Sequence, residues 1–209
     1  MSGEPYSEVA LPSGLVVEVR KLSVGSMDNN VYLLTETGTG ATVVIDAAAE
    51  GPRILSEIGD RPVSAVITTH GHPDHWQALD DVADATGAPT YLHPADADRV
   101  PRRADVPLVD RERIAFGGAE VELLHTPGHT PGSTSVLLGD THLFTGDTLF
   151  PGGPGATSYP GGDFPTIMRT LRTRLFTLDD ATRVLPGHGA DTTIGAERPD
   201  LDAWESRGW

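Results

Sequence analysis

Apolar residues along this chain fall mostly into short runs that predict strands, with helices between them. In the first half, continuous or alternating apolar runs predict strands at Leu15–Leu22, Asn30–Glu36, Ala41–Asp46, Val63–Thr69 and Pro89–Leu92. Gly38–Gly40 favours a hairpin turn between the second and third of these strands. Helices are expected at Pro52–Ile58 and Gln77–Ala85.

The second half of the chain repeats this alternation. Gly117-Gly118 favours a hairpin between Arg113–Phe116 and Ala119–His125. Further strands are predicted at Ser133–Leu138, Thr141–Phe144 and Arg183–Leu185, and helices at Phe164–Phe176 and Pro199–Glu205. Two β-rich halves, each followed by helices, predict an α/β fold of two packed sheets with helices outside. No repeat or long linker divides the 209 residues, so residues 1–209 are expected to form a single domain.

Composition narrows the classes of protein to which the chain can belong. Hydrophobic residues make up 38% and charged residues 22%, which is ordinary for a soluble globular protein. The formal net charge of −15 disfavours binding to nucleic acid or to a membrane surface, because both rely on lysine and arginine. No stretch approaches the roughly 18 apolar residues of a membrane span, and segment 1–14 lacks the basic start and apolar run of a secretory signal. We therefore expect a cytoplasmic protein that acts on a small molecule.

One polar cluster carries most of the chemical information: His70-Gly71-His72-Pro73-Asp74-His75. It follows the predicted strand Val63–Thr69, so its side chains emerge at a strand end, where a loop can aim them inward. Residues two apart do not share a helix face, and Pro73 opposes a helix, so the cluster is expected on a loop. Imidazole and carboxylate are ligands that zinc, iron and manganese share, and the chain has no cysteine to offer a thiolate. The cluster therefore predicts a metal site without identifying the metal.

Three later segments extend this pattern. In each, a predicted strand ends, glycine permits an unusual turn, and a candidate ligand follows: Gly128-His129, Gly146-Asp147 and Gly187-His188. Each segment alone is weak, but all three in order after the first cluster make coincidence a poor explanation. Isolated histidines are usually surface or hydrogen-bonded core residues, and we expect this of His93, His125 and His142.

With these motifs in this order, the sequence resembles the metallo-β-lactamase superfamily and, within it, the short glyoxalase II-like hydrolases. The similarity runs from about Met27 to Pro199. The resemblance implies a four-layer αββα sandwich with the site at one edge of the two sheets. It also implies two divalent metal ions, the first held by His70, His72 and His129, the second by Asp74, His75 and His188, with Asp147 bridging both.

Details of the motifs narrow the resemblance. His72 is typical of the hydrolytic branch, and Asp147 is typical of glyoxalase II, lactonase and phosphodiesterase relatives. The cysteine-containing β-lactamases are excluded. Trp76-Gln77-Ala78 and Ala156-Thr157-Ser158-Tyr159 depart from the family pattern, which puts the usual substrate contacts in doubt. Only 21 residues follow His188, too few for the helical domain that binds glutathione in long relatives, so specificity for glutathione thioesters is not implied.

The resemblance implies a metallo-hydrolase that cleaves a thioester or small acyl ester by a metal-bound hydroxide. Zinc is the expected metal, with iron as the alternative. Asp74 would be catalytic, orienting the hydroxide and passing a proton to the leaving group, besides touching the second metal. Two other activities stay open, those of a mononuclear-iron persulfide dioxygenase and of a lactonase. The sequence leaves the oligomeric state undetermined, although the length is compatible with a homodimer.

Substrate-binding residues are not identified by these patterns. Pro151–Gly162 is rich in glycine and proline and is a candidate lid, with Tyr159 and Phe164 as candidate substrate contacts, although an ordinary surface loop explains it equally well. Two arginine groups are candidates for holding an anionic substrate tail, but a solvated surface is the favoured interpretation for both: Arg99, Arg102 and Arg103; Arg169, Arg172 and Arg174.

Overall fold

A seven-stranded sheet forms the first half of the computed structural model, which describes residues 6–208. Within these residues its strands follow one another in chain order across the sheet: β1 (Ser7–Ala10), β2 (Val16–Val24), β3 (Asn29–Glu36), β4 (Thr42–Ile45), β5 (Val63–Ile67), β6 (Thr90–Leu92) and β7 (Val106–Pro107). The first four strands are antiparallel, and β4 to β7 are parallel. The prediction that segment 1–14 is not a secretory signal concerns, in part, residues 1–5, which lie outside the described residues.

The second half contains a six-stranded sheet and a small hairpin within the described residues. Its strands are β8 (Arg113–Phe116), β9 (Ala119–His125), β10 (Thr134–Leu138), β11 (His142–Gly146), the hairpin pair β12 (Leu149–Phe150) and β13 (Gly153–Pro154), β14 (Arg183–Pro186) and β15 (Thr192–Thr193). Across the larger sheet the order is β15-β14-β11-β10-β9-β8. Neighbours are antiparallel except β11 and β14, which run parallel because α3 (Phe164–Thr170) and its continuation lie between them in the chain.

The other helices flank these sheets: α1 (Gly51–Ile58), α2 (Leu79–Thr86), α4 (Ile194–Glu197) and α5 (Leu201–Arg207). Helix α3 begins where the Asp163 side chain accepts a hydrogen bond from the amide of Thr166, and it continues as a π-helical turn over Leu171–Leu175. Short 3₁₀ turns lie at Pro73–His75, Pro94–Arg99 and Arg198–Asp200. In the described part of the chain, no helix has the length and apolar character needed to cross a bilayer.

Alternating side chains of the central strands build the layers. In β3, Tyr32 and Leu34 face the second sheet, whereas Val31 and Leu33 join the cluster beneath α1 and α2. A third apolar cluster packs the second sheet against α3 and α5. The order is therefore helices, sheet, sheet, helices, which confirms the predicted four-layer αββα sandwich.

Several boundaries differ from the predicted ones for identifiable reasons. Helix α2 begins at Leu79 instead of Gln77, because the amides of Gln77 and Ala78 donate to the carbonyls of Ala48 and Ala47, in the loop between β4 and α1. The closing helix runs to Arg207 after a 3₁₀ turn. The sequence did not predict β1, β7, β12, β13 or β15, since strands of two to four residues are too short to show a period.

The topology gathers loops at one edge. Parallel strands β4 and β5 end side by side, as do parallel strands β11 and β14 of the other sheet. The loops that follow these strands carry polar side chains that meet between the two sheets. The 3₁₀ turn Pro73–His75 adds to this group from the first sheet's side.

Candidate metal centre

Both sheets contribute side chains to one cluster. The first sheet supplies four residues from the loop after β5, and the second supplies three from the loops after β9, β11 and β14. All seven ligands proposed from the sequence come together: His70, His72, Asp74 and His75 from the first sheet, and His129, Asp147 and His188 from the second.

The first triad of ligand atoms consists of three imidazole nitrogens. His70 Nε2 lies 3.1 Å from His72 Nδ1 and 3.2 Å from His129 Nε2. His72 Nδ1 and His129 Nε2 are 2.8 Å apart. His70 and His129 are buried, whereas His72 is half-buried and faces a cavity. The three nitrogens therefore surround one point that is open on the cavity side.

The second triad combines a carboxylate with two imidazoles. Asp74 Oδ2 lies 3.5 Å from His75 Nε2 and 3.2 Å from His188 Nε2. The two nitrogens are themselves 3.2 Å apart. His75 is fully buried, whereas Asp74 and His188 retain about a fifth of their side-chain exposure, each 20%. This triad therefore also has a buried side and an open side.

Asp147 lies between the two triads. Its Oδ1 is 3.4 Å from His75 Nε2, and its Oδ2 is 3.6 Å from His129 Nε2 and 3.5 Å from His188 Nε2. The carboxylate thus approaches a ligand atom of the first triad and two of the second. This is the position that a ligand shared by two cations needs.

The donor set and spacing fit divalent metal ions. Four ligands at about 2.1 Å from a tetrahedral zinc ion lie roughly 3.4 Å from one another. The ligand-atom separations given above, from 2.8 to 3.6 Å, bracket that value. Asp147 Oδ1 is buried and has no hydrogen-bond partner of normal geometry within residues 6–208, as expected of an atom reserved for a metal.

Gly187 makes this close approach possible. A Cβ at position 187 would lie 2.3 Å from Asp147 Oδ1 and 2.7 Å from His75 Cε1. Any larger residue would therefore displace the carboxylate or the imidazole. Position 187 therefore needs glycine because there is no room for a Cβ atom, and not only because glycine permits the backbone turn before His188.

The outer ring nitrogens of the histidines are held by oxygen acceptors. His75 Nδ1 donates to Asp46 Oδ2 at 2.9 Å, and His129 Nδ1 donates to the carbonyl of Ala156 at 2.7 Å. His188 Nδ1 donates to the carbonyl of Met27 at 2.8 Å. Because each outer nitrogen carries the proton, each neutral ring presents the lone pair of Nε2 to the centre.

Burial and charge move the pKa values of the cluster in opposite directions. Burial and then the neighbouring histidines lower the pKa of His70, and burial lowers the pKa of His72 to about 4. Burial also opposes charge on His188, but hydrogen bonds and charges from Asp147 and Asp74 outweigh it and raise the pKa to about 10. Despite burial, contacts with the histidines lower the pKa of both carboxylates. The first triad is therefore neutral at pH 7, whereas the second holds protons that a metal would displace.

A cavity of about 590 Å³ opens above the cluster. Its floor is formed by ligands of both triads and Asp147, and its walls are mainly apolar: Met27, Pro73, Phe150, Ala156 and Tyr159. The Tyr159 ring meets the ring of His72 edge-on, with centroids 5.6 Å apart. Phe164, the other candidate substrate contact, packs against the helix-side apolar cluster instead.

Three of the arginines singled out in the sequence pair with acidic residues that do not line the cavity. Arg102 pairs with Asp80 and Asp84, and Arg174 pairs with Asp110. Arg172 likewise pairs with acidic residues of α5. No lysine or arginine lines the cavity in the described part of the chain. The isolated histidines are also separate from the centre, with His93 and His125 stacked on each other in parallel at 4.1 Å.

Two polar residues that contact ligands of the second triad were not identified from the sequence. Asp46 follows β4, and its carboxylate accepts hydrogen bonds from the amide and hydroxyl of Thr69 as well as from His75. Asn29 begins β3, and its Nδ2 donates to Asp74 Oδ2 at 2.9 Å. A carboxylate ending a buried strand was a usable signal for Asp46, whereas nothing in the sequence pattern distinguished Asn29.

Known proteins are similar to this chain in sequence and in fold. The model of the metallo-beta-lactamase superfamily matches residues 24–188. Hydroxyacylglutathione hydrolase GloC of Haemophilus influenzae is 31% identical over 203 residues, covering 87% of this chain and 95% of its own. The crystal structure of ETHE1 from Myxococcus xanthus superposes with a TM-score of 0.78 at 32% identity, covering 85% of this chain and 80% of that one.

A second solved structure similar to this chain contains bound metal. The protein TTHA1623, crystallised in a di-iron-bound form, is 34% identical with a TM-score of 0.74, covering 85% of this chain and 96% of that one. Together with the matched family model, the four layers and the clustered ligands, these similarities are sufficient to assign the family. The chain belongs to the metallo-beta-lactamase superfamily.

Proposed function

We propose that this chain is a hydrolase that uses two divalent metal ions to cleave a thioester or small acyl ester. Zinc is the expected metal. The observation that carries the proposal is the position of Asp147 between two triads of ligand atoms, on the floor of an apolar cavity. A carboxylate in that position suits a pair of cations that act on one substrate. The similarity to GloC, described as a hydroxyacylglutathione hydrolase, supports thioester chemistry.

Asp74 is the proposed proton carrier in this reaction. When bound, the metal ions supply a nucleophile from water at neutral pH and stabilise negative charge on the acyl oxygen. Asn29 Nδ2 fixes Asp74 Oδ2, so the carboxylate is held at the cavity floor. Asp74 is ionised at neutral pH, so its carboxylate can accept a hydrogen bond from the attacking water, take up the proton as the acyl carbon is attacked, and pass it to the leaving thiolate or alkoxide.

The cavity walls favour an uncharged acyl group. Met27, Phe150 and Tyr159 offer apolar surface, and no lysine or arginine lines the cavity within residues 6–208. Buried charge without a partner is costly, so a substrate that places a carboxylate against these walls, away from the metal ions, would bind poorly. The thiol or alcohol portion is expected to leave through the open side of the cavity, between Met27 and Tyr159, both 58% exposed.

Metal content and a matched substrate panel test this proposal. Protein purified without affinity tag or chelator should hold about two zinc ions per chain. It should hydrolyse thioesters of a short apolar acyl group at least about tenfold better in kcat/KM than thioesters whose acyl chain ends in a carboxylate, because the cavity walls formed by the described residues offer that carboxylate no lysine or arginine. Acyl lactones belong in the same panel, since ring opening would identify a lactonase. Two bound zinc ions without hydrolysis of any thioester, ester or lactone would contradict the proposal.

A mononuclear-iron persulfide dioxygenase is the second candidate, and one feature of the site favours it. Two histidines and one carboxylate on one face of a metal are typical of iron oxygenases. His70 and His129 have their Nε2 atoms 3.2 Å apart, and Asp147 Oδ2 lies 3.6 Å from the second of these. About one iron per chain, with oxygen uptake on addition of a persulfide, would establish this reaction and exclude the hydrolase.

A further inference from the structure

The carboxylate of Asp96 joins two loops of the metal centre without facing the metal positions. Asp96 lies in the 3₁₀ turn Pro94–Arg99 and is completely buried, with 0% exposure. Its Oδ2 accepts hydrogen bonds from the Gly71 amide at 2.8 Å and the Thr130 hydroxyl at 2.6 Å. Its Oδ1 accepts one from the Gly132 amide at 2.9 Å.

These donors lie beside all three ligands of the first triad. Gly71 separates His70 from His72, and Thr130 directly follows His129. A single side chain therefore fixes the spacing between the loop after β5 and the loop after β9. Among the described residues, the side-chain hydrogen bonds and ion pair of Asp96 include none with the second triad of Asp74, His75 and His188.

Burying the Asp96 carboxylate between the two loops has a free-energy cost. Removing a charge from water costs several kcal/mol unless hydrogen bonds or an opposite charge compensate. The nearest cation is Arg99, whose Nε is 3.7 Å from Oδ1, and its Nη2 donates to the carbonyl of Pro160 instead. Donors from the two loops therefore provide most of the compensation, so the carboxylate and the loop geometry depend on each other.

The loops are also shaped to admit this carboxylate. A Cβ at Gly132 would lie 2.6 Å from Asp96 Cγ, so no larger residue fits there. Thr130 is held from its other side as well, because its amide donates to the Ser133 hydroxyl at 3.0 Å. We infer that Asp96 is a positioning residue that sets the geometry, and hence the metal affinity, of the His70, His72 and His129 triad.

Asp96→Asn tests the inference with little change in volume. The asparagine amide can lie in two orientations. In one its NH2 group would face the Gly71 amide and the Thr130 hydroxyl, and in the other it would face the Gly132 amide, so at least one donor would lose its acceptor in either case. The affinity of the first triad should fall by about 10- to 100-fold, the usual effect of losing a partner that orients metal ligands. The affinity of the second triad should change by less than about threefold, because Asp96 does not contact it.

Titration of the metal-free protein with zinc against a chromophoric chelator measures both binding steps. His72→Ala and His188→Ala identify which step belongs to which triad. Asp98→Asn is the matched control, since Asp98 is exposed and lies two residues along the same turn. Unchanged steps would overturn the inference. Equal weakening of both steps, with a parallel fall in the Tm of the metal-free protein, would also overturn it, by showing a purely structural role.

Thr130 provides a second test if the Asp96 variant fails to fold. Thr130→Val removes the hydroxyl donor at constant shape, whereas Thr130→Ser keeps it. We expect the valine variant to weaken the first zinc step by about tenfold, the worth of one hydrogen bond to a charged group, and the serine variant to restore it. Equal affinities for the two variants would overturn the inference. Neither titration depends on activity, so the result stands whichever reaction the centre catalyses.

Discussion

Asp46 Oδ2 accepts a hydrogen bond from His75 Nδ1 at 2.9 Å, and both side chains are almost completely buried. The same carboxylate accepts hydrogen bonds from the amide and hydroxyl of Thr69, at 2.7 and 2.8 Å. Thr69 directly precedes His70, and its hydroxyl lies 3.1 Å from His70 Nδ1. Asp46 therefore supports a ligand of each triad, His75 directly and His70 through Thr69. Asp96, by contrast, accepts hydrogen bonds from the loops that carry the first triad.

Replacing Asp46 by asparagine should destabilise the metal-free protein. Asp46 has a φ of +55°, which asparagine tolerates, so the change removes charge without adding backbone strain. Although burial opposes a proton on His75, Asp147 and Asp46 raise its pKa, so the substitution leaves a buried cation with one fewer partner. We expect a loss of about 3 kcal/mol in the free energy of unfolding.

Urea denaturation of the metal-free protein at pH 7 measures this loss. Asp60→Asn, at an exposed position, is the control and should change the free energy of unfolding by less than about 0.5 kcal/mol. If Asp46→Asn were as stable as the control, the Asp46–His75 pair would have no net stabilising role.

Asp74→Asn should abolish most turnover. The amide cannot accept and return a proton, and proton transfer by a positioned group contributes about 10²- to 10⁴-fold to a rate. Asparagine keeps an oxygen for Asn29 Nδ2, so the local hydrogen bond can survive. We expect kcat to fall at least about 100-fold while KM changes little.

Metal content of the same Asp74→Asn preparation decides how that loss is interpreted. Full turnover with both metals bound would show that Asp74 is not the proton carrier. Asp80→Asn, at an exposed position on α2, should leave kcat unchanged and serves as the control.

The sequence was sufficient for the fold and for the set of candidate ligands, because both depend on local patterns. Strand periodicity predicted the layers, and histidine or aspartate after a strand and a glycine predicted the side chains that converge. The hydrogen bonds that orient the ligands and their loops could not be predicted in the same way. Asp96 and Gly132 are 36 residues apart, and the carbonyl of Met27 is 161 residues from His188. Such pairs exist only after the sheets pack, and backbone acceptors carry no sequence signature.

Tyr159 should contribute to substrate binding through its ring. It forms one wall of the cavity and meets the His72 ring edge-on, yet it is 58% exposed without substrate. A bound acyl group would cover part of this surface, worth about 1–2 kcal/mol. Tyr159→Ala should therefore lower kcat/KM for an apolar acyl thioester by about 5- to 30-fold, mainly through KM.

Tyr159→Phe separates the ring from its hydroxyl. Steady-state kinetics on a series of lengthening acyl chains should show the phenylalanine variant close to the wild type and the alanine variant losing selectivity for longer chains. A phenylalanine variant as impaired as alanine would assign the effect to the hydroxyl and contradict an apolar contact.

Metal binding should release protons at neutral pH. Although burial opposes it, hydrogen bonds and charges from the carboxylates raise the pKa of His188 to about 10, and the same carboxylates raise that of His75. His188 is therefore protonated at pH 7.5 without metal, the carboxylates favour the protonated form of His75 as well, and a cation can bind either Nε2 only after its proton leaves. Calorimetric titration with zinc at pH 7.5, in buffers of different ionisation enthalpy, should report between one and two protons released.

The same raised pKa fixes how the stability of the metal-free protein depends on pH. A histidine whose pKa rises on folding stabilises the folded state fully below its unfolded pKa, and that contribution disappears as pH passes through the folded pKa. For His188 this window runs from 6.5 to about 10. The Tm of the metal-free protein should therefore fall across this range more steeply than that of His188→Gln, which cannot hold the proton. Parallel pH profiles for the two proteins would show that the carboxylates do not hold a proton on His188.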